Sequence, residues 1–339
     1  MFINLSREER KEIIEATAQR MHVDPVIIEK DWWVVQTLSA LFSSPFANQL
    51  TFKGGTSLSK AYQLIERFSE DIDITINKHS LVSDFDVEKF ETLSNNKKNK
   101  ALEDLDSKAN AFIINEILPH LKNNMPFAPL FKISENDPLA LEIHYESLLS
   151  SKLDYIQSHI YVEFGVRGSI TPAEQKPVQS YIQNIFGSSV DSTAAFVNTL
   201  CPIKTFFEKA TLLHAEYNRH LDKPTPQRLS RHYYDLFQMR ECGFLQEALS
   251  YEVLDEVIRH KNNFFQSSWA KYSSILESGI KMIPHKDRIN TLQEDYKATA
   301  IMIFKIAPDF DEILSSIAMM EEIINLRITL ENQGKTALA

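Results

Sequence analysis

The sequence predicts an α+β protein: a mixed sheet with flanking helices over about the first half, followed by a mainly helical C-terminal lobe. Three observations predict it. Residues 71–76 read acid, Ile, acid, Ile, Thr, Ile, the two-residue period of a strand with one polar and one apolar face. Residues 51–66 run from a short apolar strand through Gly54-Gly55 into a helical pattern. From about Ile203 onward apolar residues recur at helical spacing. The expected division is residues 1–190, a sheet domain with N-terminal helices, and residues 191–339, a helical domain that closes a cleft over the first. A chain of 339 residues has room for both.

In chain order, Ser6 to Met21 reads as an amphipathic helix, with Ser6 able to cap it and Glu8 and Glu9 in the first turn, where the helix dipole favours acids. Asp24-Pro25 begins a second helix whose apolar face includes Ile27, Ile28, Trp32, Val35, Leu38 and Leu41. Within it, Lys30 and Asp31 are read either as ion-pairing residues that orient the helix or as ligand contacts. Residues 84–124 are charged with helical spacing, and Asn95 to Lys100 form a basic cluster that is either a solvated turn between helices or a contact for nucleic-acid backbone. Strand periods return at 131–134, 140–146 and 159–167. Residues 168–189, with Pro172, Pro177 and Gly187, read as a crossover between lobes. The second lobe is expected to be helical from Asp191, or from Ile203 if the preceding segment is loop. It continues as helices at 244–258 and 309–330, and Phe264, Phe265 and Trp269 serve either as core or as a base-stacking platform.

Composition removes several function classes. The net charge of −10 argues against a general nucleic-acid coat, although residues 201–240, with seven Lys/Arg against four Asp/Glu, are locally basic. No apolar run reaches the roughly 18 residues of a membrane span, and the start lacks the order of a signal peptide, so the expectation is a cytoplasmic protein without membrane contact. Cys201 and Cys242 lack metal-site spacing and are expected to be reduced. The ten histidines form no convincing metal set in the sequence.

The chemistry concentrates at residues 51–76. Gly54 and Gly55 allow a tight turn and close approach to a ligand, Thr56 and Ser57 follow where a helix begins, and a helix start offers free N–H groups to phosphate. Asp71 and Asp73 share a strand face, and two neighbouring carboxylates call for a cation between them. Mg²⁺ or Mn²⁺, held by oxygen ligands and shared with substrate phosphates, fits that need. Turn, helix and acidic strand within 26 residues is the local layout of the nucleotidyltransferase fold.

Lys53-Gly-Gly-Thr-Ser-Leu-Ser-Lys60 and Arg67-Phe-Ser-Glu-Asp-Ile-Asp-Ile74 closely resemble the signature of the AbiEii/AbiGii nucleotidyltransferase toxins of bacterial abortive-infection and toxin–antitoxin systems. Glu29-Lys-Asp-Trp-Trp33 resembles a segment that the family carries ahead of its glycine motif. The resemblance implies Mg-dependent transfer of NMP from an NTP to an acceptor hydroxyl, with a tRNA 3′ end as an RNA acceptor and a separately encoded antitoxin as partner. It implies roles for Gly54, Gly55, Thr56, Ser57, Lys60, Arg67 and Ser69 in holding the nucleotide, and for Asp71 and Asp73 in holding metal. A third carboxylate from a later strand completes such sites. Glu163, in Glu-Phe-Gly-x-Arg, is preferred and Glu142 is its rival, with Arg167 as a phosphate contact.

Lys209 and Asp235 match the Glu-Lys pair and the Arg-Asp-x-Tyr-Asp-Leu motif, implying that Lys209 contacts the triphosphate, that Asp235 orients it or braces the site, and that Arg231 lies near the nucleotide. His232 stands where relatives carry the first Asp, which leaves open which acid acts. Alternatively, Arg231 and Asp235, four apart, simply pair on a helix surface. Three other classes use the same residues: a different phosphotransfer or glycosyl enzyme, although a glycosyltransferase would not need the phosphate turn and helix; a nucleotidyltransferase that modifies protein; and a degenerate member that binds NTP or a partner without catalysis.

Overall fold

The computed structural model describes residues 1–149, 156, 157, 159–244 and 250–337. The chain forms two compact units: residues 1–63 with 68–201, and residues 64–67 with 202–339. The first contains a seven-stranded mixed sheet. Its strands are β1 Leu50–Lys53, β2 Asp71–Ile76, β3 Leu130–Ile133, β4 Ala140–His144, β5 Ile160–Gly165, β6 Ala173–Gln179 and β7 Ala194–Leu200, in the spatial order β3-β4-β5-β2-β1-β7-β6. β1 runs antiparallel to β2 and parallel to β7, and β2 runs parallel to β5.

The N-terminal helices form where their caps place them. Helix α1, Arg7–Met21, opens with a reciprocal box: the Ser6 hydroxyl accepts from Glu9 N–H and the Glu9 carboxylate accepts from Ser6 N–H. Helix α2, Pro25–Phe42, is capped by Asp24, which accepts from Val26 N–H at 2.9 Å. α2 packs on β5 and β7, and its residues from Ile27 to Leu38 are all buried. Against it stands the apolar face of the sheet: Ile72, Ile74 and Ile76 of β2 are fully buried, as are Val162 and Phe164 of β5. The alternation in β2 thus sends the isoleucines into the core and leaves Asp71 and Asp73 on the other face.

Three stretches differ from expectation. Residues 95–100 are the opening turns of helix α3, Asn95–Phe112, rather than a turn between helices. Much of the expected crossover is edge strand β6, paired antiparallel to β7, followed by the short helix α4, Tyr181–Phe186. Only Val178 of β6 is buried, and an edge position tolerates Pro177, so no apolar alternation marks this strand. Residues 194–200 are neither helix nor loop but β7, so helix begins at Pro202.

The second unit is helical: α5 Pro202–Asn218, α6 Ser230–Glu241, α7 Tyr251–Phe264, α8 Lys286–Thr299 and α9 Phe310–Ala337. Part of the expected helix 244–258, residues 245–249, lies outside the described residues. Phe206, Leu213, Tyr233, Leu236, Leu292 and Ile313 make its core. The segment 64–67 joins this unit through an antiparallel bridge from Arg67 to Ile303 and a 3.1 Å bond from Phe304 N–H to Glu66 C=O. Phe264 is core, whereas Phe265 and Trp269 are exposed. Among the described residues no helix is long and apolar enough to cross a membrane.

Candidate active site

In the first unit β1 ends at Lys53 and the chain turns through Gly54 with φ +78°, a left-handed conformation that favours glycine. Space makes the same demand: a Cβ at position 54 would stand 1.9 Å from Asp73 Oδ2. The backbone of the turn therefore lies directly against the carboxylate of β2. Residues 54–56 make one helical turn and Ser57–Ala61 a wider π-type turn. Thr56 and Ser57 are fully buried, and each hydroxyl donates inside the protein, Thr56 to Asp71 C=O and Ser57 to Gly54 C=O at 2.9 Å. Those side chains thus shape the turn from within, and its backbone N–H groups are what the turn offers to a phosphate.

Strand register assembles three carboxylates. Asp73 lies opposite Lys53 on β1 and opposite Glu163 on β5, and Asp71 lies opposite Tyr161. Paired residues on adjacent strands share a face, so Asp71, Asp73 and Glu163 lie on the same face of the sheet as Lys53. Glu142 is one strand further out, opposite Tyr161, and its carboxylate is 3.0 Å from His144 Nε2. Register thus puts Glu163, and not Glu142, opposite Asp73. Glu163 is open to solvent by area, yet partial desolvation raises its carboxyl pKa; Lys53 opposes that rise, and Asp137 and Asp71 add to it. The sequence reading left Lys53 and Gly168 out of the site. A Cβ at Gly168 would come within 2.6 Å of Thr75 Oγ1 and 3.2 Å of Lys53 Nζ, so its lack of a side chain leaves room for that lysine. Lys53 could have been found as the residue next to Gly54 on a strand antiparallel to β2.

Two expected nucleotide ligands are engaged elsewhere. Lys60 is buried, its ammonium 2.5 Å from Asp31 Oδ1 and 3.8 Å from the centre of the Tyr181 ring. Burial pushes the Lys60 ammonium down in pKa and the Asp31 carboxyl up, and each opposes the shift of the other. Arg167 lies past the end of β5 and pairs with Asp106 of α3, so its guanidinium is held by a carboxylate. Ser69 is buried. Lys30 and Asp31 of α2 both form buried ion pairs, Lys30 with Glu70 at 2.7 Å, which is the orienting role.

In the second unit a separate cluster forms around Asp235, which is fully buried on α6. Arg67 donates to both its oxygens, Nε at 2.7 Å and an Nη at 2.9 Å, and Lys209 Nζ lies 2.9 Å from Oδ2. Burial would raise this carboxyl, but Arg67 and Lys209 overcome it and hold the pKa well below the usual carboxylate range. Asp235 is thus buried and paired with residues distant in sequence, so it does not stand on a helix surface as the alternative reading had it. Arg231 itself is half-buried on α6. His232 Nδ1 is 3.3 Å from Lys209 Nζ. Burial pushes the imidazole pKa well below its ordinary value, with Lys209 adding to the shift, so His232 is neutral at pH 7 and accepts from the ammonium.

The family model described as nucleotidyl transferase AbiEii toxin, type IV toxin–antitoxin system, matches residues 36–316. Among solved structures the chain is similar to MenT4, a nucleotidyltransferase toxin from Mycobacterium tuberculosis, with 13% identity and a TM-score of 0.41 over 96% of this chain and 99% of that one. No curated protein matches it significantly in sequence.

Proposed function

Because the chain belongs to the AbiEii nucleotidyltransferase toxin family of type IV toxin–antitoxin systems, we propose that it transfers NMP from an NTP to an acceptor hydroxyl of RNA, a tRNA 3′ end, in the cytoplasm. Its action is then opposed by a separately encoded antitoxin and serves phage defence. The observation that carries this reading is the contact of the Gly54 backbone with Asp73 on a face shared by Asp71 and Glu163. Phosphate chemistry needs that combination, a backbone that an anion can approach closely beside carboxylates that hold a cation.

Asp71, Asp73 and Glu163 suit Mg²⁺ or Mn²⁺, since the donor set is all oxygen and Asp73 lies against Gly54, where a side chain has no room. When bound, the ion neutralises triphosphate charge. The chain's own residues supply the rest. The turn at Gly54–Gly55 receives phosphate oxygens on its backbone N–H groups, Lys53 adds positive charge beside it, and Glu163 takes the proton of the acceptor hydroxyl on a carboxylate oxygen. In-line attack on the α-phosphorus then forms one P–O bond and releases pyrophosphate. The family resemblance gives Lys209 to the triphosphate and Asp235 to its brace. The Arg67–Asp235–Lys209 ion pairs support bracing.

The test is to incubate the protein with each α-³²P-labelled NTP, Mg²⁺, total bacterial RNA and cell protein, with an Asp71→Ala/Asp73→Ala variant alongside. Label on an RNA band, absent with the variant, is the expected result. Label on a protein band instead would make this a protein-modifying enzyme, and no label with any NTP would overturn transfer.

A further inference from the structure

We propose that Glu142, His144 and His159 form a binding site for one divalent transition-metal ion of the zinc class, distinct from the Asp71–Asp73–Glu163 set. The proposal rests on side-chain geometry and stands apart from the nucleotidyl-transfer reading. One ligand atom from each of the three residues lies within 4.8 Å of the others. Strand geometry explains the grouping. Glu142 and His144 are two apart on β4 and so share a face, and the pairing of Ile143 with Ile160 carries His159, the residue before β5, to the position opposite His144. The two imidazole rings stand 4.9 Å apart between centroids, and Glu142 Oε2 is 3.0 Å from His144 Nε2. In the sequence these residues show no metal-ligand spacing, because 14 positions separate the two histidines across a connection between strands.

The donor chemistry selects the ion. Two imidazole nitrogens and one carboxylate oxygen form a borderline set that binds Zn²⁺ or Co²⁺ and leaves a fourth position for water. Mg²⁺ and Ca²⁺ take oxygen ligands and favour the aspartates instead. Bonds of about 2.0–2.1 Å would draw the three ligand atoms in by roughly 1 Å, within the reach of small side-chain rotations. The His144 and Glu142 side chains are 30% and 22% exposed, which keeps them held by the sheet yet open to an entering ion and its water. Glu142 and Asp71 both lie opposite Tyr161, so one strand separates these members of the two donor sets.

The experiment titrates the full, chelator-stripped protein with Co²⁺ and follows visible absorption, then adds Zn²⁺. Three variants run in parallel: His144→Asn/His159→Asn, Glu142→Gln and Asp71→Asn/Asp73→Asn, each checked by far-UV circular dichroism and thermal melting. The expected result is one equivalent of Co²⁺ with a visible band that Zn²⁺ abolishes, kept in the aspartate variant and lost in the histidine variant. Glu142→Gln should weaken Co²⁺ at least as much as loss of an outer-shell partner, roughly ten- to a hundredfold. That variant decides the matter should the double histidine variant fail to fold. A band that survives the histidine or glutamate changes, a band that needs the aspartates, or no saturable band at all would overturn the site.

Discussion

Gly54 is the residue on which the proposed site turns. Any side chain there is doubly opposed, by φ +78° and by the 1.9 Å approach of its Cβ to Asp73 Oδ2. Gly54→Ala should therefore displace Asp73 and abolish transfer while circular dichroism stays native; full activity would show that the approach is incidental. His232 makes a prediction about pH. Its folded-state pKa is depressed, so the unfolded chain binds a proton more readily, and the stability present above its unfolded value of about 6.5 is lost as pH falls below it. His159 and His214 are depressed in the same direction by burial, so they contribute to the same fall. His232→Asn should flatten part of the loss between roughly pH 7 and 5, measured by urea unfolding at several pH values; an unchanged slope would put a charged imidazole there. Asp235 has the acidic counterpart: its contribution is present above about pH 4 and is lost as pH falls further. Lys209→Ala should raise the NTP concentration needed for transfer, and an unaltered dependence on NTP would confine Lys209 to bracing Asp235.

At the scale of elements, α2 and β2 carry the first unit. α2 puts three charged residues in succession, Glu29, Lys30 and Asp31, into the core, and Lys30 and Asp31 pair with the buried Glu70 and Lys60. Lys30 also donates to Gln157 C=O at 2.7 Å, so it ties the helix to the segment entering β5 as well as to the residue just before β2. Removing one partner of such a pair leaves an uncompensated buried charge and costs about 3–5 kcal/mol. Lys30→Met should show a loss of that order by chemical denaturation, and Lys30→Met/Glu70→Leu should recover most of it. A double variant as unstable as the single would mean that packing rather than charge sets the cost. β2 itself was legible from the sequence because a two-residue period with isoleucine on one side has only one way to face a core. β6 and β7 were not, since one is an edge strand with a single buried residue and the other carries the exposed Phe196 within an apolar run.

For the whole molecule, two units with separate cores share one chain that passes from one to the other at residues 63–64, 67–68 and 201–202. The acidic balance of −10 coexists with a basic stretch at 201–240 within the helical unit. As a family toxin the chain should arrest growth when expressed in a bacterium, and Asp73→Ala should relieve that arrest without lowering the amount of soluble protein. Arrest that persists with Asp73→Ala at equal expression would separate toxicity from the proposed metal site.

By itself the sequence determined what depends on neighbours along the chain: the caps at Ser6 and Asp24, the glycine turn, the faces of β2, and through its two motifs the family. Each follows from a local period or a local backbone demand. Only the tertiary structure decided which distant groups meet. Register set Glu163 opposite Asp73 and Glu142 one strand further out, folding gave Asp235 to Arg67 and Lys209, and Lys60 went to Asp31. It also gathered Glu142, His144 and His159. The physical reason is that a charged side chain in a core is placed by whichever partner the packing brings within about 3 Å, and sequence spacing carries no record of that partner.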